Sequence, residues 1–440
     1  MTNSRSGGGT APREPAIWLD LTTSLRTRGP AHSGTTRVEQ SYAATLGAVL
    51  QERLRFCRFD RARRRFFTLP SLPDFAQPSP AAFARAKSSG AGVERRASLG
   101  RRAEQTVRRW RNQTLGAFSR ASGAAIFPEA RAGDVILFAG ETWGYHDAEL
   151  LARLRRERGL RYAAVCQDLI PLVHPQFFAE QDFVSRFGKY FDFLVNDVDL
   201  TVAISQSTKA DFLRCAAARG GARGRVEVVQ LGADFDLTDA PAGFDRLPGL
   251  QPGQFVLSVS TIQARKNFDL LYHLWQRLSA ERVPGLPKLI IAGQRGFGTA
   301  DLLWQIAHDP VVRDTIVVLD RVSDAELAWL YRNCRFTLYP SFYEGWGLPV
   351  SESLAYGKFC IASNTSSLPE AGQGLALHLD PLDFAAWHRA IVELLASPQL
   401  LAERERKIRE SFVLTTWRQS AERLGEALLR LAAETVATPR

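Results

Sequence analysis

A chain of 440 residues is too long for one ordinary hydrophobic core and points to two domains of roughly 200 residues each. Its composition, 45% hydrophobic and 23% charged, excludes a disordered or fibrous chain, and no run approaches the roughly 20 apolar residues that cross a bilayer. The net charge of +10 is uneven: from Arg53 to Arg111, 16 Lys or Arg stand against four acids, so anionic partners are expected at the N-terminal half.

The opening residues, Met1 to Arg13, are polar and Gly-rich with no apolar h-region, so a flexible tail over 1–15 is expected and not a secretion signal. Five scattered cysteines without C-x-x-C spacing point away from zinc and disulfides and toward a reducing cytoplasm. Ile17 to Thr22 alternates as a first strand, and a loop through Gly29, Pro30, Ser33 and Gly34 leads to a helix from about Arg37 to Gln51, with Val38, Tyr42, Leu46 and Val49 on one face. Arg55 to Phe59 and Arg65 to Leu69 read as two strands around a basic turn. The segment 93–118 carries seven arginines around an apolar helical stripe, spacing that fits either a helix docked on its own domain or one lying on an anionic membrane surface.

From Asp134 short apolar runs alternate with helical segments. Val135-Ile136-Leu137-Phe138, the run 161–166 and the run 200–204 are continuous enough to be buried parallel strands. Their following loops, Gln167 to Pro175 and Ser205 to Thr208, fall where open α/β sheets bind ligands. Asp168 is a candidate for orienting a substrate, with capping of the next turn as the alternative. Asp197-Val198-Asp199 has the spacing of a metal site but precedes a buried strand, and is read as structural; no metal is expected.

Residues 232–254, rich in Asp, Pro and Gly, read as a linker. A second alternating unit follows. Its first strand, 255–260, leads into Thr261-Ile262-Gln263-Ala264-Arg265-Lys266-Asn267, where two adjacent cations suit a diphosphate. Ser323 and Glu326 form a capping box for a helix running to Asn333. Phe336 to Tyr339 is a strand ending at Pro340, and then comes Ser341-Phe342-Tyr343-Glu344-Gly345-Trp346-Gly347-Leu348-Pro349-Val350-Ser351-Glu352. This strand, loop and helix start offers free amides and a helix dipole to a diphosphate, while Gly345 and Gly347 let the backbone approach a ligand. Glu344 and Glu352 are placed to meet sugar and ribose hydroxyls. A further loop, 364–370, carries polar groups, and helices over 384–396, 400–409 and 417–435 close the chain.

The Glu-x7-Glu pattern with its Gly-Trp-Gly-Leu-Pro interior resembles the signature of retaining, nucleotide-sugar-dependent glycosyltransferases of family 4. The Thr-Ile-x-x-Arg-Lys-Asn string resembles a mannosyltransferase-like branch of that family. The resemblance implies an α/β chain of GT-B fold: two Rossmann-like doubly wound domains with an inter-domain cleft, and a C-terminal helix crossing back to the N-terminal domain with Trp417 as anchor. It sets an acceptor-binding domain at 16–240, a nucleotide-sugar-binding domain at 253–415 and the returning helix at 416–440.

It further implies a donor site of Arg265, Lys266, Glu352, Gly345, Trp346, Gly347, Leu348, Thr261, Val322 and Gly34, with Glu344, Asp168 and Gln167 near the reacting sugar. Gln167 stands where the family usually has His, and Thr261 where it often has Arg. The implied reaction moves a sugar, mannose or a deoxyhexose favoured, from a nucleotide such as GDP-mannose to a glycan, glycolipid or other glycoconjugate acceptor in bacterial surface polysaccharide synthesis. No cofactor and no metal are implied beyond the nucleotide-sugar co-substrate. The expected location is cytoplasmic, with peripheral contact at an anionic membrane through 93–118. A sugar-nucleotide epimerase or phosphorylase of the same fold, and more remotely a basic nucleic-acid-binding protein, are the alternatives; the absence of a groove-reading motif argues against nucleic acid as a partner.

Overall fold

The computed structural model describes residues 13–26, 34–73, 127, 129–178, 180–234 and 243–434; the segment 93–118 lies outside them. Thirteen described strands build two sheets. The first has strands β1 (Ile17–Asp20), β2 (Leu54–Asp60), β3 (Arg65–Leu69), β4 (Val135–Phe138), β5 (Arg161–Cys166), β6 (Leu200–Ala203) and β7 (Arg225–Val228) in the order β3-β2-β1-β4-β5-β6-β7. Strands β2, β1, β4 and β5 pair in parallel. Strand β3 is antiparallel to β2, because the basic turn after Asp60 folds it straight back as a hairpin. The four residues of β1 and the four of β4 are all buried, as continuous apolar runs covered on both faces require.

The second sheet holds β8 (Phe255–Val259), β9 (Lys288–Ala292), β10 (Ile316–Leu319), β11 (Thr337–Tyr339), β12 (Cys360–Ser363) and β13 (Leu377–Leu379), ordered β10-β9-β8-β11-β12-β13. Every adjacent pair is parallel. The helix Phe268–Ala280 buries Phe268, Leu271, Leu274, Trp275 and Leu278, the stripe its 3.6-residue spacing sets on one face. The capping box of Ser323 and Glu326 opens the helix Asp324–Asn333 as the sequence requires. In both sheets the strand order reverses beside the first strand, at β1/β4 and at β8/β11. Loops leaving the carboxyl ends of such a pair diverge to opposite sides and leave a crevice.

Contacts gather the described residues into two compact units. One takes in residues up to Ala164, Asp197–Leu200 and the chain from Leu424 onward; the other takes in Val165–Asn196 and Thr201–Arg423. Within the first, the last helix (Trp417–Ala433) brings Gly425 against Val49 and Leu50, and the Arg161 guanidinium donates to the carbonyls of Leu431 and Glu434. Within the second, Trp417 N donates to Asp234 Oδ1 at 2.5 Å and Ser420 Oγ to the Gln230 carbonyl at 2.7 Å. Among the described residues no helix is long and apolar enough to cross a membrane.

The helix expected from about Arg37 begins at Gly34, so Thr35 and Thr36 lie inside it and Thr36 is fully buried. Glu39 on that helix is buried, its Oε1 accepting the Ser24 amide at 2.7 Å. Burial, reinforced by the nearby Asp20 charge, pushes its carboxyl up from 4.5 to about 8. The folded state therefore keeps a proton that the unfolded chain releases above about 4.5, and stability falls as pH rises from there through about 8. Glu39→Gln, which cannot ionise, is expected to flatten the fall of Tm over that window, measured by calorimetry at a series of pH values.

Candidate functional site

The second sheet's switch point lies between β8 and β11, and the loops that follow these strands are the Arg265-Lys266 segment and the Ser341–Gly347 segment. Both belong to the second unit. A short 3-10 turn, Ala264–Lys266, sets the two cations just before Asn267, which takes the left-handed conformation at φ 57° and anchors its side-chain amide on the Pro381 carbonyl at 2.9 Å. Asparagine tolerates that region better than other residues with a side chain. The two loops are tied directly: Phe342 N donates to the Arg265 carbonyl at 2.9 Å.

Their side chains meet on Glu344. Its Oε1 lies 2.5 Å from Lys266 Nζ, 2.9 Å from Arg265 NH1 and 2.9 Å from the hydroxyl of Tyr339. Lys266 also donates to the Tyr339 hydroxyl at 2.8 Å, and Arg265 to the Tyr343 carbonyl. Burial alone would raise the Glu344 carboxyl, but Arg265 and then Lys266 outweigh it and hold the group down at about 2. Burial, with Arg265 beside it, pulls the Lys266 ammonium from 10.5 down to about 8 although Glu344 opposes the shift. Near neutral pH Arg265, Lys266 and Glu344 are therefore all charged, two cations sharing one carboxylate.

The backbone around Glu344 is fixed from a second loop. Ser366 Oγ accepts Glu344 N at 2.9 Å, and Ser367 Oγ donates to the carbonyls of Glu344 and Trp346 at 3.0 and 2.8 Å. Gly347 has φ 108° and caps the helix Leu348–Ala355, with Pro349 in its first turn, so a residue with a side chain there would be strained. Trp346 is buried, and its indole nitrogen finds no acceptor among the described residues.

The sequence-expected residues fall into distinct places. Glu344, Arg265 and Lys266 come together, and Asp168 joins them: burial raises its carboxyl above the usual range while Arg265 and, more weakly, Lys266 pull it back. Asp168 Oδ1 also accepts Ile170 N at 3.0 Å, so it caps the next turn as well as facing the cluster. Gln167 enters through its backbone, whose carbonyl lies against Gly345. Glu352 is buried and accepts the Tyr331 hydroxyl at 2.7 Å, a contact that orients its carboxylate. Thr261 is exposed, Leu348 opens its helix, and Val322 packs partly onto the core of β8, β9 and Trp329. Gly34 opens its helix in the first unit. Asp199 is bound by Arg155 and accepts Tyr162 N at 3.0 Å, a structural use. Among the described residues no group of three or more His, Cys, Asp or Glu could hold a metal ion.

Two contributors were not legible beforehand. Tyr339 reads as the apolar end of a strand, yet its hydroxyl reaches both Glu344 and Lys266; the available signal is a polar-tipped residue at the carboxyl end of a switch-point strand. Asp211, inside the helix Gln206–Ala217, accepts the Tyr343 hydroxyl at 2.6 Å and had no sequence mark at all.

Residues 248–411 match the family model for glycosyl transferases group 1. An O-antigen chain mannosyltransferase B of Escherichia coli is 37% identical over 154 residues, which cover 34% of this chain and 40% of that protein. A serotype-specific mannosyltransferase, WbdA of Escherichia coli, is 28% identical over 215 residues, 47% of this chain and 26% of that protein. The matched stretches thus span less than half the length of these curated relatives. Among solved structures, a sucrose-phosphate synthase from Thermosynechococcus elongatus aligns with TM-score 0.60 at 19% identity over 96% of this chain and 100% of its own. Anabaena HepE in complex with UDP and glucose aligns with TM-score 0.52 at 14% identity over 96% and 97%. At such identities the likeness concerns the fold, two parallel-sheet Rossmann-like domains of the GT-B kind.

The close approach at Gly345 is testable. A Cβ there would stand 2.0 Å from the Gln167 carbonyl oxygen and 3.0 Å from Asp168 Cβ. Gly345→Ala is expected to lower stability by about 1–3 kcal/mol, the usual range for overpacking, read from the midpoint of denaturant unfolding.

Proposed function

We propose, from the match of residues 248–411 to the family model for glycosyl transferases group 1, that this protein transfers a sugar from a nucleoside diphosphate sugar to a hydroxyl of a glycan or lipid-linked glycan acceptor. The product belongs to polysaccharide synthesis, and the anomeric configuration is retained. The observation that carries the reading is the meeting of Arg265, Lys266 and Glu344 at the β8/β11 switch point. A diphosphate needs cations and amides, which Arg265, Lys266 and the start of the helix Leu348–Ala355 supply. A sugar needs hydrogen-bond acceptors, which the Glu344 carboxylate supplies.

In the transfer, the bond between the anomeric carbon and the β-phosphate oxygen breaks while the acceptor oxygen bonds to the same face of that carbon. The departing phosphate oxygen takes the acceptor's proton, so no protein nucleophile is required. The two cations stabilise the leaving charge, and Glu344 steadies the oxocarbenium-like sugar through its hydroxyls. Asp168, half-buried and electrostatically coupled to Glu344, orients the sugar or acceptor. Backbone groups near Val322 read the base, and Glu352, aligned by Tyr331, accepts from the ribose diol. The two Escherichia coli mannosyltransferases favour mannose, carried by GDP, as the donor sugar over a deoxyhexose, and they favour transfer over epimerisation or phosphorolysis.

Incubation with a panel of nucleotide sugars and glycan acceptors is expected to give turnover with GDP-mannose, unaffected by EDTA; turnover without acceptor to an altered nucleotide sugar, or activity abolished by EDTA and restored by Mg or Mn, would overturn the reading. Lys266→Ala is expected to weaken nucleoside diphosphate binding by about 1.5–3 kcal/mol, or roughly 10- to 150-fold in Kd. In the wild type the same Kd is expected to rise as pH passes about 8, where the ammonium is lost, and in Lys266→Ala calorimetric titration is expected to show a flatter profile.

A further inference from the structure

We infer that Glu370 is a positioning residue for Glu344, acting through the helix Gln206–Ala217. All the groups concerned lie in the second unit. Glu370 binds the start of that helix with both oxygens: Oε2 accepts Gln206 N and Oε1 accepts Ser207 N, each at 2.8 Å. Ser205 Oγ accepts the next amide, Thr208 N, at 2.9 Å. The first three free amides of the helix are thus satisfied, two of them by one carboxylate that also meets the positive end of the helix dipole.

The same helix holds the residues on either side of Glu344. Thr208 Oγ1 donates to the Gly345 carbonyl at 3.2 Å, and Asp211 Oδ2 accepts the Tyr343 hydroxyl at 2.6 Å while its Oδ1 lies 2.6 Å from Arg214. The His174 ring packs on Tyr343 with centroids 4.5 Å apart. Glu370 in turn sits three and four residues after Ser367 and Ser366, whose hydroxyls hold the backbone of Glu344 itself. The three pieces close a ring: the loop 341–347 is tied to the helix, the helix to Glu370, and the segment bearing Glu370 back to the loop. Released at Glu370, the helix can shift against the loop, and Tyr343 and Gly345 shift with it. A displacement of about an ångström at a reacting centre is enough to lower turnover strongly.

The consequence for turnover rests on the sugar-transfer reading; the ring itself does not. In Glu370→Ala, kcat for sugar transfer is expected to fall at least about 10-fold while the Kd for the nucleoside diphosphate alone stays within about twofold, because Arg265 and Lys266 are untouched. Added formate or acetate is expected to restore part of kcat by seating on the two vacated amides, a rescue that a general loss of stability would not show. Amide hydrogen exchange of the peptide spanning 341–347 is expected to speed up in this variant and in Tyr343→Phe, which removes one tie without changing the fold's volume. Exchange unchanged in both variants would overturn the inference whatever the enzyme's activity, as would a kcat equal to wild type or a loss that carboxylates do not relieve. A wild type that transfers no sugar, with exchange behaving as expected, would overturn the functional reading and leave the positioning role standing.

Discussion

The structure of the site depends on one buried arrangement of charge, a single carboxylate oxygen of Glu344 shared by Lys266, Arg265 and the hydroxyl of Tyr339. Removing one partner from a buried ionic cluster commonly costs about 3–5 kcal/mol, because the charge left behind has lost its water and gained nothing. Such a cluster forms only if the two loops that carry it are held together beforehand. Here the hydrogen bond from Phe342 N to the Arg265 carbonyl does that on the cation side, and Ser366 and Ser367 do it on the carboxylate side. The cluster is consequently tied on both sides and located where the parallel sheet opens.

The location follows from topology before any side chain is considered. The order β10-β9-β8-β11-β12-β13 places β8 and β11 side by side with their following helices going to opposite faces. Whatever residues follow those two strands must face the crevice. The chain has put the adjacent cations Arg265 and Lys266 after one and its Glu-Gly-Trp-Gly loop after the other. An anion and a hydroxyl-rich group joined in one molecule, as in a sugar diphosphate, match that pairing of charges better than either alone.

Most of this was legible in the sequence because it is local. Continuous apolar runs marked the strands, Ser323 and Glu326 marked a helix start, and the strings 261–267 and 341–352 marked the site by composition and spacing. The parts that were not legible depend on distant partners. Tyr339 belongs to the site only because β11 ends beside β8, so that its hydroxyl meets a lysine 73 positions earlier. Glu370 and Asp211 matter only because the helix Gln206–Ala217 comes against the loop 341–347, a meeting that no periodicity encodes. Glu352 reads locally as a side chain facing a ligand, and no spacing encodes that Tyr331, 21 positions earlier, binds one of its oxygens. The early start of the helix at Gly34 escaped because glycine and two threonines argue locally against a helix, and packing of Thr36 into the core overrides that preference.

The claim that everything else rests on is that one sugar diphosphate lies across Arg265, Lys266 and Glu344. A crystal structure of the protein with a non-transferable nucleoside diphosphate sugar tests it most directly. Phosphate oxygens within hydrogen-bond reach of Arg265 and Lys266, with sugar hydroxyls on the Glu344 carboxylate, are the expected result. A ligand bound elsewhere, or one bound here with its sugar turned away from Glu344, would contradict it.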